Sequence, residues 1–300
     1  MTEVFPNYYD KFKCIADKCE HNCCIGWEID IDQETIKKYK SLEKDTGFNF
    51  ADNIEENHFK LKDGERCAFL NSHGLCDIIC SFGEDALCDI CTLHPRFKNF
   101  YTHFNEVGLG LSCEEAARII LSAEERFCIF HPECVLLTDE EKDFFKERST
   151  ALDILQNRSK TITERFSYLA RKYEAEITAD TEKLLEIYTP LERLDEKWTD
   201  ELEALRGFFF DGKIFEKFPI AFENLAVYFI FRHFGKCIWD YEPAVRFALQ
   251  GCTLIGAMLS CCESDGKAAD FRKLVDLARM YSAEIEYSDE NTEEIMFELT

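Results

Sequence analysis

Residues 14–27 read CIADKCEHNCCIGW, and the reading of this stretch decides how the rest of the chain is parsed. It holds Cys14, Cys19, Cys23 and Cys24 with gaps of four, three and no residues. A thiolate ligand set needs several sulfurs within about 4 Å of one another, and short loops bring them there at little cost in closure entropy. Outward from this stretch come Cys67 and Cys76, then Cys88 and Cys91, then Cys113; with Cys80, ten of the sixteen cysteines lie at or before Cys113. Cysteines used only as small core hydrophobes need no such grouping. The pattern therefore predicts a cysteine-rich, metal-binding N-terminal module.

The spacing leaves the metal open. Structural zinc usually takes two spaced pairs of cysteines, whereas a cubane often takes a tight triplet and one distant thiolate, and both arrangements can be drawn here. An iron-sulfur cluster of the 4Fe-4S type is the first expectation and zinc the alternative; nine candidate sulfurs leave room for two centres. Adjacent side chains of an extended segment point to opposite sides, so Cys23 and Cys24 are not expected to serve one metal equally. Cys80, beside Ile78 and Ile79, and the scattered Cys128, Cys134, Cys237, Cys252, Cys261 and Cys262 read as apolar-face residues.

Composition narrows the partners. Lys plus Arg number 35 against 59 Asp plus Glu, a formal charge of -24, which disfavours nucleic acid and anionic membrane surfaces and suits a lysine-presenting substrate. Residues 1–10 lack a basic region followed by an apolar one, so no secretory signal is expected. The most apolar stretch, 221–231, is interrupted by Glu223 and Asn224 and stops at Arg232, short of the roughly 20 apolar residues of a membrane span. A cytoplasmic protein is expected, and in that reducing compartment its thiols should be free.

Residues 27–31 alternate like a short strand, and Asp32 is placed to N-cap a helix through about Lys44. His58 to Leu61 alternate again, Asp63-Gly64 signals a hairpin, and the turn at 71–74 separates Cys67 from Cys76-Asp77-Ile78, which together suggest a strand meander. Ser112 and Glu115 fit a capping box that puts Cys113 in the first turn of a helix, where the dipole favours a thiolate; Thr138 and Glu141 fit another. Helical patterning then covers about 139–157, 161–176, 181–194, 198–210, 218–234, 241–260 and 266–282. Residues 284–298 read as a solvated acidic end or an edge strand. The fold expected is mainly α: a small cysteine-rich module with short β-strands and a metal site over 1–130, and a helical domain over 131–300.

The succession 14–27, then Cys67-Ala-Phe-Leu, Cys76-Asp-Ile, LCDICTLHPR at 87–96 and LSCEEAAR at 111–118 resembles the flagellin lysine N-methylases, within a wider Cys-x-x-Cys-x-x-Cys-Cys metal-chelating group. The stretch YFIFRHF at 228–234 resembles a later block of the same family. The resemblance implies N-methylation of surface lysines of flagellin, with S-adenosylmethionine as donor and a cysteine-bound metal or cluster as cofactor. The wider pattern maps onto Cys14, Cys19, Cys23, Cys24, Cys67, Cys76 and Cys91; Cys113 joins them as a ligand or reactive thiol, and Cys88 is a possible ligand. The first gap here is four residues where the wider pattern has two.

Lysine at its ordinary pKa near ~10.4 is not a nucleophile, so such a site must desolvate it or supply a base. Arg96, after His94-Pro95, can grip a carboxylate bidentately and is the candidate for holding the donor's, or for balancing thiolate charge. Arg232 and His233 read as cations completing a helix C-terminus before Gly235. Gly108 and Gly110 only distantly resemble a dinucleotide-binding loop, since a third glycine is missing. A non-enzymatic metal- or cluster-binding protein is the main rival, and a redox dithiol at Cys88 and Cys91 a minor one.

Overall fold

The computed structural model describes residues 2–130 and 136–298; Cys134 lies outside them. The chain opens with strand β1 (Thr2–Val4). It then forms two compact units: Lys13–Phe97, and a larger one made of Met1–Phe12 with Lys98–Thr300. Residues 98–130, cysteine-bearing by composition, are thus packed within the larger unit.

In the small unit Asp32 accepts the Thr35 amide at 2.8 Å and caps helix α1 (Gln33–Thr46), which stops at Gly47 with φ 75°. Its Tyr39 stacks on Phe50 at 4.3 Å, and Phe48, Phe59, Phe69 and Phe82 continue the cluster. Two antiparallel pairs follow: β2 (Ile54–Glu55) with β3 (His58–Phe59), and β4 (Leu61–Lys62) with β5 (Arg66–Cys67) around the expected Asp63-Gly64 turn. Residues 27–31 do not form the expected strand. Ile29 and Ile31 do alternate inward, but the segment meets β3 only through single bonds, Ile31 N to Asn57 O and Phe59 N to Ile29 O, so no ladder develops. The residues around Cys76 are not a strand either: Cys76 begins helix α2 (Asp77–Phe82), as Cys88 begins α3 (Asp89–Leu93).

The larger unit completes a sheet the sequence did not announce. Strand β6 (Arg96–Phe100), which crosses the boundary between units, and β7 (Phe104–Leu109) join β1 in the order β1-β7-β6, with β1 parallel to β7 from Thr2 opposite Phe104 to Val4 opposite Glu106. Gly108 therefore sits in a buried strand, not in a phosphate-binding loop. Helix α4 (Glu114–Leu121) starts at Cys113, but the Ser112 capping box does not form. Glu115 turns instead to Arg118, at 2.6 and 2.7 Å, and the Ser112 hydroxyl is buried with no hydrogen-bond partner among the described residues.

Thr138 caps α5 (Asp139–Leu155) with the expected box, and Thr161 caps α6 (Ile162–Lys172) likewise. There follow α7 (Thr181–Tyr188), α8 (Glu196–Glu203), α9 (Ile214–Lys217), α10 (Pro219–His233), α11 (Glu242–Ser264) and α12 (Phe271–Tyr281). The acidic end is neither solvated nor a strand. It forms π-helical turns at Ser282–Glu286 and Glu294–Glu298 around α13 (Asp289–Glu293), with Ile285, Met296, Glu284 and Glu286 buried.

Helices α10 and α11 are apolar nearly all round because both are enclosed: α10 packs on α4, α5 and α11, and α11 on α12. Helix α11 is long and apolar enough by length and composition to cross a membrane, which the reading of 221–231 overlooked; 89% of its apolar window is buried in the unit. Its Gly256 seats a ring, since a Cβ there would stand 2.7 Å from Phe215.

Candidate functional site

The small unit brings cysteines from four segments to one core. Cys67 and Cys88 are fully buried in it, and Cys24, Cys76 and Cys91 pack against it. The Cys67 amide donates to the Cys24 carbonyl at 2.8 Å, tying the first cysteine stretch to β5. The turn at 71–74 forms as expected, held by the Asn71 side chain, and returns the chain so that Leu70 bridges Cys76.

Two thiol pairs are hydrogen-bonded, Cys23 with Cys24 and Cys88 with Cys91. The bond from Cys24 lowers Cys23 to about 7, and the bond from Cys91 lowers Cys88; Cys24 and Cys91 are raised in return, by those same bonds and then by burial. Burial raises Cys67 and Cys76. A negative charge on Cys24 is opposed by Cys23, Cys67 and Cys76, and one on Cys91 by Cys88, Cys24 and Cys23. Six thiols thus share one electrostatic neighbourhood, in which each bonded pair holds one lowered and one raised thiol. Among the described residues no three Cys, His, Asp or Glu side chains already stand together as a metal-holding group; the thiols meet in pairs.

The remaining expected ligands stand otherwise. Cys14 is exposed, its sulfur accepting the Ala16 amide at 3.4 Å, and Cys19 is half-buried at the end of a 3-10 turn. Cys113 belongs to the other unit. Cys88, expected only as a possible ligand, is among the most enclosed of all. Arg96 donates to the carbonyls of Thr92 and His94 at 3.2 and 3.4 Å, closing the end of α3. Cys237, Cys252, Cys261 and Cys262 are core residues as read, whereas Cys80 and Cys128 are exposed.

In the larger unit a polar centre appears where the sequence suggested only a helix end. Tyr228, Arg232 and His233 lie one turn apart on α10, and the π-turn at 282–286 directs Glu286 at them. The Tyr228 hydroxyl donates to the Glu286 carboxylate at 3.1 Å, accepts Arg232 Nη1 at 2.7 Å and accepts the Leu111 amide at 3.3 Å. His233 Nε2 lies 2.6 Å from Glu286 Oε1, while its Nδ1 has no hydrogen-bond partner among the described residues. Burial lowers His233 to about 4, so the ring is neutral, donates Nε2–H and leaves a bare lone pair on Nδ1. Burial pushes the Glu286 carboxyl up, but Arg232 and His233 outweigh it and hold it below its ordinary value. A one-turn spacing of Tyr, Arg and His inside an otherwise apolar run was the available signal: surface cations at a helix end do not need an apolar helix.

Both shifts act in one direction on stability. Below pH 6.5 the unfolded chain protonates His233 while the folded one does not, and below about 4.5 the same holds for Glu286, so acidification removes stability. Between pH 7.5 and 5 the His233 contribution alone should cost about 2 kcal/mol. Urea unfolding at the two pH values should show this loss, and His233→Gln, which keeps a donor to Glu286 but cannot titrate, should shrink it; an equal loss in the variant would contradict the assignment.

Residues 169–299 match the model of the FliB lysine N-methylase C-terminal domain. A lysine-N-methylase of Salmonella typhimurium is 25% identical over 187 residues, covering 58% of this chain and 47% of that protein, and one of Salmonella choleraesuis is 26% identical over 191 residues with the same coverage. The flagellar biosynthetic protein FliU of Salmonella muenchen is 30% identical over 132 residues, covering 41% of this chain and 78% of that protein. The chain spans about half the length of the lysine-N-methylases it matches. No solved structure matches. With more than two thirds of the FliU protein covered at this identity, and its own C-terminal helices matched by the family's domain, the chain belongs to the FliB lysine N-methylase family.

Proposed function

We propose that the protein is a protein-lysine N-methyltransferase that acts on surface lysines of flagellin, with S-adenosylmethionine as methyl donor. The observation that carries the reading is the match of the helical half, residues 169–299, to the lysine N-methylase domain. The acidic chain, at -24, favours approach of a lysine-bearing partner. The free thiols suit the cytoplasm, where we place the reaction. Incubation of anaerobically purified protein with flagellin and methyl-labelled donor should transfer label to lysine; no transfer by protein with its full metal content would overturn the reading.

We assign a metal to the cysteine module, an iron-sulfur cluster first and zinc second. The donor set fits such a group in chemistry: Cys24, Cys67, Cys76, Cys88 and Cys91 share one core, with Cys23 bonded to Cys24 beside it, and a metal bond in place of S–H relieves the raised thiols of Cys24, Cys67, Cys76 and Cys91. Closing three or four of them on one centre requires side-chain rotation from the paired arrangement. Cys14 and Cys19, in the same unit, complete the proposed set of thiols, and Cys113, in the other unit, is kept as the proposed reactive thiol. A bound cluster would supply structural cross-linking or an open coordination site for the donor. Arg96, held by two carbonyls at the end of α3, is the residue we assign to the donor's carboxylate.

Replacing Cys24, Cys67 or Cys91 by serine should lower metal content by at least half and melting temperature with it, because a structural metal site adds its binding free energy to folding. Elemental analysis beside calorimetry checks this, and metal content unchanged in all three variants would remove these residues from the ligand set. A second reading, a thiol-based metal-binding protein without transferase activity, draws on the gathering of six thiols within the small unit. Titration with S-adenosylmethionine separates the two, since only the transferase reading requires donor binding.

A further inference from the structure

Tyr39 is the one tyrosine of the small unit, is 1% exposed, and carries a hydroxyl with no hydrogen-bond partner among the described residues. An unpaired buried hydroxyl is unfavourable, and phenylalanine would fill the same place without it. The other buried hydroxyl of the unit, on Thr35, is bonded to Asp32. The Tyr39 ring is held by stacking on Phe50 at 4.3 Å and by Phe59 at 6.2 Å. A helical side chain leans over the turn before its own, so Tyr39 lies back toward Thr35 and the start of α1. There one Asp32 oxygen caps α1 and the other accepts the Asp89 amide at 3.1 Å, which fixes Cys88, one residue earlier, at the same end of the helix. Lys38 donates to the Asp85 carbonyl and makes a second tie. Cys88 is fully buried in the core that Tyr39 belongs to, and Cys76 and Cys91 pack against that core. Burial keeps the phenol neutral, and the ionisable groups that act on it are Cys88, Cys91, Cys76 and Asp32, in that order.

We propose that Tyr39 is a positioning residue of the metal centre, its hydroxyl donating a hydrogen bond to the sulfur of Cys88 when that sulfur is a metal-bound thiolate. This rests on the assignment of a metal to the cysteine module and adds to it a residue outside the ligand set. As a thiol, Cys88 has its partner in Cys91. Turning from Cys91 to a metal exchanges one partner for another, the thiol for the phenol, and no proton leaves the hydroxyl. The need for a donor follows from burial. A thiolate on a metal keeps lone pairs and part of its negative charge, and at Cys88, with no exposure, water cannot solvate either. A neutral O–H supplies that solvation without adding charge to the core. Hydrogen bonds of this kind hold a ligand in orientation and draw electron density from the sulfur, which strengthens metal retention and raises the reduction potential of an iron-sulfur cluster.

The test uses the full chain, stripped of metal and titrated anaerobically with cobalt(II), whose sulfur-to-metal charge-transfer absorption follows the donor strength of the bound thiolates. Tyr39→Phe, which removes only the hydroxyl, should weaken cobalt binding about tenfold or more. It should also move the absorption to longer wavelength, because a sulfur without its hydrogen bond gives up electrons more readily. Phe50→Leu, which loosens the same stack and keeps the hydroxyl, should leave the absorption in place. A second measurement needs no substitution: chain made with 3-fluorotyrosine carries a stronger donor, placed within the small unit at position 39 alone, and its absorption should move to shorter wavelength. That measurement decides the matter should Tyr39→Phe not fold. An absorption present in the wild type and unmoved by Tyr39→Phe or by fluorotyrosine overturns the inference and leaves the metal assignment intact. Weaker binding without a shift, or an equal shift in Phe50→Leu, is a packing effect and overturns it as well. No sulfur-to-metal absorption in the wild type overturns both the inference and the assignment beneath it.

Discussion

Replacing Arg148 with methionine is expected to destabilise the larger unit by about 3–5 kcal/mol, because it strands a charge. Glu106 on β7 is fully buried, and Arg148 on α5 grips both its oxygens at 2.6 and 2.7 Å, with the Tyr101 hydroxyl bonded to each partner at 3.2 Å. The guanidinium also lies 4.8 Å from the Phe145 ring centre. Removing the arginine leaves a carboxylate in a medium that cannot solvate it. Removing both charges should not cost the same: two desolvation penalties disappear with the pair, so Arg148→Met combined with Glu106→Leu should recover most of the loss. Urea unfolding of the two variants beside the wild type decides it, and a single substitution costing under about 1 kcal/mol would contradict the burial of the pair.

Glu223→Leu should be comparably severe, by the opposite sign of charge. Glu223 on α10 is fully buried, takes three bonds of 2.8 to 3.1 Å from Arg158 and one of 2.5 Å from Arg165, and joins α10 to α6 and the segment before it. The leucine fits the apolar surroundings, but two guanidiniums lose their counter-ion. Arg165, at 4% exposure of its side chain, cannot reach water without moving α6; Arg158, at 29%, can turn outward and escape part of the cost. A loss of about 3–5 kcal/mol should appear as roughly a 10 °C fall in melting temperature for a unit of this size. Adding Arg165→Leu to Glu223→Leu should restore part of it, and an unchanged melting temperature in the single variant would sink this account.

These two pairs show where sequence reading stopped. The seven helical stretches were legible because apolar periodicity and capping residues are local signals; Thr138 with Glu141 and Asp32 with Thr35 formed as the residue types require. The clustering of thiols was legible from spacing alone. What could not be read is which charged residues in apolar runs face each other, since Glu106 and Arg148, or Arg232 and Glu286, are far apart in the chain. The three-stranded sheet was missed for the same reason: β1 has three residues and its partner lies about a hundred residues on. Local preference also misled at Ser112, where Glu115 found a stronger bond in Arg118 than in a backbone amide. At the acidic end, Asn291 binding the carbonyls of Glu192 and Glu284 anchors a segment whose composition suggested exposure.

The parallel pairing of Thr2–Val4 with Phe104–Glu106 has a consequence for the order of assembly. Strand β1 is made before its neighbour and must wait, unpaired, until β7 emerges, with the whole of Lys13–Phe97 intervening. Ring closure across a floppy span costs more than across one already condensed. Early maturation of the inserted module, by metal uptake in our assignment, would shorten the effective tether, so starving cells of iron or zinc during synthesis should leave the segment around Thr2–Val4 open to proteases.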